Sequence, residues 1–151
     1  MAVPVTITAV RGPVPPADLT GLERDAVVLT AEERRWGRRR LRTQAGRELA
    51  LALPTGTTLS PGEVLHVDPA WYVVVEATPE PVLEIRPRSP AEALRVAFEV
   101  GNRHFALALD GDRLLVPDDP AMTQLLGRLG VAWARERAAF VPIGAGHRHD
   151  A

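Results

Sequence analysis

The stretch SPAEALRVAFEVGNRHFALALDGDRLLVPDDPAMTQLLGRLG, residues 89–130, decides the fold. It writes one helical grammar twice. Ser89 stands where a helix N-cap is wanted, Pro90 takes the first helical position, and Glu92 completes a capping box. Leu94, Ala97 and Phe98 recur at helical spacing and are expected to form the buried stripe, with Gly101 as the stop. Asp119, Pro120, the stripe Met122, Leu125, Leu126 and Leu129, and the stop at Gly130 repeat the scheme. Between the two helices, HFALAL and RLLV flank Asp110-Gly111, a strong hairpin signal.

Outward from this stretch, VLEIRPR reads as a strand before the first helix, and VAWARERAAFVPI as a last strand or strand pair. The order β-α-β-β-α-β predicts a ferredoxin-like unit: one antiparallel sheet, both helices on one face, and the other face open for a covering such as a second subunit. Upstream, VPVTITAV, DAVVLT, RRRLRTQAGRELALALP, a short strand ending PTGTTLSPGEVL, and WYVVVEA read as short strands. Thr30 and Glu33 match a capping box for a single turn, and Leu49, Leu51 and Leu53 share one face. The prolines and glutamates of EATPEP, residues 76–81, break the pattern. The fold class is therefore α+β. A small all-β domain is expected over residues 1–76, a ferredoxin-like domain over 77–146, and a flexible histidine-containing tail over 147–151.

With 151 residues, 46% of them apolar, the chain is long enough for a real core. A net charge of −1 supplies no general field toward nucleic acid or membrane, and the absence of cysteine excludes disulfides, thiolate metal sites and thiol catalysis. The N-terminus lacks a signal peptide's pattern, and no segment approaches the roughly 18 uninterrupted apolar residues of a membrane helix, so a soluble cytoplasmic protein is expected. No Walker loop, GxGxxG, HExxH or nucleophile elbow occurs, and the protein is expected not to be an enzyme. Arg34, Arg35, Arg38, Arg39, Arg40 and Arg42 form a run near Trp36 that suits either a phosphate or acidic surface or a solvated edge strand. The edge strand is favoured, because Glu32 and Glu33 dilute the patch and charge clusters are usually surface chemistry.

Four histidines remain to be weighed. Strand alternation from residue 104 puts His104 on the open face with Ala106 and Ala108, and Phe105, Leu107 and Leu109 toward the helices. His147 and His149 lie two apart in the tail, and His66 reads as a strand-end surface residue. One chain offers no set of three or four ligands. A two-fold dimer doubles every ligand near its axis, and imidazole nitrogens in that number suit Ni(II), Cu(II) or Zn(II).

GNRH at 101–104, LLGRLG at 125–130, FVPIGAG at 140–146 and the segment VVLTAEERRWGRRRLRTQAGRELALALPTGTTLSPGEVL occur in an order and spacing that resemble the UreE urease accessory proteins. The resemblance covers nearly the whole chain and implies a nickel metallochaperone with an N-terminal domain similar to a chaperone peptide-binding domain. It further implies a homodimer through the second domain, with His104 of each copy meeting on one Ni(II), and His147 and His149 completing the coordination. Cu(II) or Zn(II) would be held by the same ligands. The partners it implies are a UreG-type GTPase and the urease maturation complex. The tail carries only two histidines, and Glu99 and VPDDP stand where some relatives have histidine, which leaves a minimal interfacial site. The alternatives are a non-metal protein- or peptide-binding module, and a nucleic-acid binder using the arginines.

Overall fold

A reciprocal hydrogen bond and a buried carboxylate shape the first of two compact units. The computed structural model describes residues 4–10 and 14–144. The chain divides between Thr78 and Pro79, and the second unit is Pro79–Ile143.

The first unit holds β1 (Val5–Ile7), β2 (Glu23–Leu29), β3 (Arg38–Arg42), β4 (Glu48–Ala52), β5 (Val64–Val67) and β6 (Trp71–Ala77). Among the described residues these form two sheets, in the orders β1-β4-β3 and β2-β6-β5. Leu49, Leu51 and Leu53 are buried together with Ile7, Val27 and Val73 in one apolar cluster. The Glu33 N–H donates to Thr30 Oγ1 at 3.1 Å and the Thr30 N–H donates to Glu33 Oε1 at 2.9 Å, a complete capping box that turns the chain out of β2. Asp25 ties β2 to the β3–β4 turn: its carboxylate accepts from the N–H groups of Ala26 and Ala45 and from Arg47. Burial pushes this carboxyl up, but hydrogen bonds from Thr43, Arg47, Ala45 and Ala26 outweigh it and hold the group below the usual carboxylate range.

The second unit runs β7 (Pro79–Ile85), α1 (Pro90–Asn102), β8 (Ala108–Asp110), β9 (Arg113–Pro117), α2 (Pro120–Leu129) and β10 (Trp133–Ala139). The strand order β10-β7-β9-β8 is antiparallel throughout. This is the ferredoxin-like arrangement of the predicted βαββαβ order. Both helix starts are capped as expected. Ser89 Oγ accepts from the Glu92 N–H at 3.1 Å and Asp119 Oδ1 from the Ala121 N–H at 2.8 Å. Glu92 differs from a strict capping box, because its carboxylate accepts from the Arg88 N–H, one residue before the cap.

Three expectations need correction. The buried side of α1 is Val96 and Val100 with Ala93, not Leu94, Ala97 and Phe98. Leu94 and Phe98 are 72% and 69% exposed. Apolar residues occupy more than one stripe of this helix, so periodicity alone could not choose its inner face. Second, Gly101 does not stop α1, which continues to Asn102. Third, the sheet face away from the helices is not bare. Pairing puts Val82, Leu115 and Ala108 on that side, and all three are buried. The chain after β10 runs across to Leu107, whose carbonyl accepts from the Ile143 N–H at 2.8 Å. The same face carries an ion network, with Arg113 donating to Glu84, Glu136 and Asp110 at 2.8, 2.6 and 2.7 Å. Glu136 and Arg113 hold the Glu84 carboxyl down at about 2.

Candidate metal centre

His104 ends a helix rather than starting a strand. Residues 105–107 precede β8 without strand pairing, so the expected alternation of His104 with Ala106 and Ala108 fails. Ala108 is buried while Leu109, expected inside, is exposed. The real geometry is a Schellman motif. The Phe105 N–H donates to the Val100 carbonyl at 3.2 Å, and the His104 N–H to the Gly101 carbonyl at 3.0 Å. Phe105 also packs against the cluster containing Val100, the apolar contact that accompanies such a cap.

The motif requires a left-handed residue at its bend, and that residue is His104, at φ 61°. No other non-glycine residue among those described has positive φ. The second helix shows the ordinary solution. There Gly130 takes the bend at φ 69°, with the Val131 N–H donating to the Leu126 carbonyl at 3.2 Å. A side chain in this conformation costs about 1–2 kcal/mol that glycine avoids. Gly101 lies three residues too early to serve. Strain of this kind persists only where the surrounding structure holds it, and it clusters at functional sites.

The imidazole is exposed, and so are Gly101, Asn102 and Arg103 around it. Arg103 folds back on Glu99, with Nη1 2.6 Å from its carboxylate and 3.2 Å from its carbonyl oxygen, which neutralises the charge next to the histidine. Leu94, Phe98 and Asn102 follow one another at four-residue intervals, so the exposed apolar stripe of α1 runs toward the helix end that carries His104. Among the described residues no group of three or more His, Asp or Glu side chains is placed to hold a metal ion. His104 is thus part of no such group among the described residues. His147 and His149 lie outside the described residues. His66, on β5 in the first unit, has its ring centroid 5.2 Å from that of Trp71, the two rings tilted by 50°.

The arginine run is split by its surroundings. Arg34 is buried and donates to the Leu29 carbonyl at 2.9 Å. Arg39 lies 4.7 Å over the Trp36 ring, and Arg42 pairs with Glu48 at 3.0 Å. Arg38 and Arg40 are exposed on β3.

Two family models match the chain in tandem: the N-terminal domain of the UreE urease accessory protein over residues 7–78 and its C-terminal domain over residues 80–151. The chain belongs to the UreE family. Similar relatives bear this out. The urease accessory protein UreE of Deinococcus radiodurans is 47% identical over 114 residues, 76% of this chain and 74% of the relative. That of a Synechococcus strain is 42% identical over 130 residues, 85% and 87% of the two chains. A bifunctional urease accessory protein UreEF of Bordetella bronchiseptica is 40% identical over 129 residues, 82% of this chain and 30% of that longer protein. These UreE relatives are accessory proteins rather than enzymes, and the chain's role is that of a urease accessory protein. Among the described residues no helix is long and apolar enough to cross a membrane.

The feature missed from sequence is the left-handed bend at His104. The signal for it was present: a well-punctuated helix whose glycine stands too early, followed by Phe105 spaced to close the cap on Val100. Leu94 and Phe98 were noticed, but assigned to the wrong side of the helix.

Proposed function

We propose that this UreE chain carries Ni(II) as cargo for urease assembly, held between the second units of a homodimer by His104 of each copy and completed by His147 and His149. The observation that carries this reading is the conformation of His104. An exposed imidazole stands at a bend where glycine would be more stable, at the end of an exposed apolar helix stripe. The stripe supports the dimer. Burying Leu94 and Phe98 against a second copy would contribute about 1.5–3 kcal/mol each, and two-fold symmetry counts each twice. One imidazole per chain is too few for a carried metal, and a pair on the axis with tail ligands gives four or more nitrogens.

Imidazole is a borderline ligand that both takes and releases divalent ions. Copper would bind more tightly than nickel at such a set, and zinc would compete, so cellular supply and partner recognition decide the cargo. Only neutral imidazole coordinates, so loading weakens as pH falls through the histidine range, around 6.5 for an unperturbed ring. Tail ligands that detach first would leave positions open for the receiver, a UreG-type GTPase acting with the urease maturation complex in the cytoplasm. The bifunctional UreEF relative supports operation alongside another accessory protein. In this role the protein is a carrier and not an enzyme.

Equilibrium dialysis against nickel at neutral pH, with molar mass from light scattering, tests the proposal. One nickel per wild-type dimer, lost in His104→Ala while the dimer persists, is expected. Truncation after Gly146 should weaken binding without abolishing the dimer. Equal nickel binding by wild type and His104→Ala would refute the site.

A further inference from the structure

The arginines of β3 line a sheet edge. Among the described residues, β3 ends the order β1-β4-β3 and pairs on one side only. The Leu53 N–H donates to the Gly37 carbonyl and the Thr43 N–H to the Arg47 carbonyl, each at 2.8 Å. With Arg39 opposite Leu51 and Leu41 opposite Leu49 between them, the odd-numbered residues turn their main chain toward β4. Arg38, Arg40 and Arg42 therefore turn their N–H and C=O groups outward. Their side chains also share one face, opposite the buried Leu41.

Arg42 is matched by Glu48, but Arg38 and Arg40 have no carboxylate partner among the described residues. Their cross-strand neighbours are Ala52 and Ala50, which are too small to cover them. Exposed Arg35 and Trp36 continue the surface beyond the start of the strand. Unmatched guanidinium groups thus sit directly beside unmatched main-chain donors and acceptors.

We propose that the β3 edge receives an extended acidic segment of a partner protein, added to this sheet as a fourth strand with Asp or Glu side chains facing Arg38 and Arg40. Charge on an edge strand normally guards against association. Here the guard is selective. A second copy of β3 would bring arginine against arginine, whereas a strand with carboxylates at alternate positions gains both the main-chain ladder and the cross-strand charge pairs. A nucleic acid fits less well. It cannot continue the alternating ladder, and Glu33 and Glu48 already lie against Arg39 and Arg42. The inference does not rest on the metal site, so each can fail alone.

The test uses the full chain and a fluorescein-labelled peptide of about ten residues alternating Glu with Val and Thr, at about 50 mM salt to limit screening. Anisotropy should report saturable binding. Amide hydrogen exchange should slow at Arg38, Arg40 and Arg42, and stay unchanged at Arg39 and Leu41, whose amides already face β4. Arg38→Glu with Arg40→Glu should weaken binding by about tenfold or more. A peptide N-methylated at alternate residues keeps its charge and should fail to bind. Equal binding of the N-methylated peptide, or of one with Lys in place of Glu, would overturn the proposal. So would saturable binding without slowed exchange on β3, or stronger binding of an oligothymidylate than of the acidic peptide.

Discussion

Replacing His104 by glycine should make the protein more stable while emptying it of metal function. The bend at φ 61° costs a residue with a Cβ about 1–2 kcal/mol. Glycine removes that cost but gives the unfolded chain more freedom, which takes back about 0.4–1 kcal/mol. The net gain is about 0.5–1 kcal/mol, a rise of about 3–6 °C in Tm for a unit of this size. His104→Ala is the necessary control: it also deletes the imidazole but keeps the Cβ, and so should gain nothing. The measurement is thermal and urea denaturation of the three proteins at one concentration, with chelator present, because bound metal or changed dimer occupancy would shift the midpoint by mass action. Nickel dialysis of the same proteins, free of chelator, should show both variants impaired alike. A His104→Gly protein no more stable than His104→Ala would refute the strain argument, and with it the claim that this bend is held for the sake of its side chain.

Phe98→Asp should convert a dimer to monomer at concentrations where wild type stays paired. Two buried phenyl groups per interface correspond to about 3–6 kcal/mol, more than about a hundredfold in dimer Kd, read by light scattering or sedimentation. The Glu84 carboxyl, held at about 2 against an ordinary 4.5, makes the unfolded chain bind the extra proton between those values. Its contribution to stability is therefore complete above about pH 4.5 and lost as pH falls toward 2. Glu84→Gln should flatten that part of the Tm-against-pH curve and leave neutral-pH nickel binding unchanged.

What was legible in the sequence was local chemistry with a single best solution. Ser89, Asp119 and Thr30 cap because each places one oxygen over amides that have no other partner. Asp110-Gly111 turns because Gly111 takes φ 64° without cost, and the ferredoxin-like order follows once those ends are in place. What was not legible depended on a choice between near-equal options. Residues 93, 96 and 100 and residues 94 and 98 both make apolar stripes on α1, and tertiary packing selected the smaller side chains for the inside. HFALAL alternates like a strand, but the cap at His104 and Phe105 consumes its first residues, and only Ala108–Asp110 pairs. The arginines of β3 suited an edge strand from the outset. Their outward main chain could be identified only from the hydrogen bonds at Gly37 and Thr43.

The bond from the Ile143 N–H to the Leu107 carbonyl fixes where the last stretch of chain departs, three residues from His104. Only four peptide links separate Ile143 from His147, a reach of at most about 14 Å. Under the proposed nickel-carrying role, the tail imidazoles would meet a metal at His104 as tethered ligands, at an effective concentration in the millimolar range or above. Rebinding after each detachment would then be intramolecular and fast. An acceptor could not win by waiting for the tail to diffuse away; it would have to occupy the vacated position during a brief opening, which would favour transfer within a docked complex over release into solution.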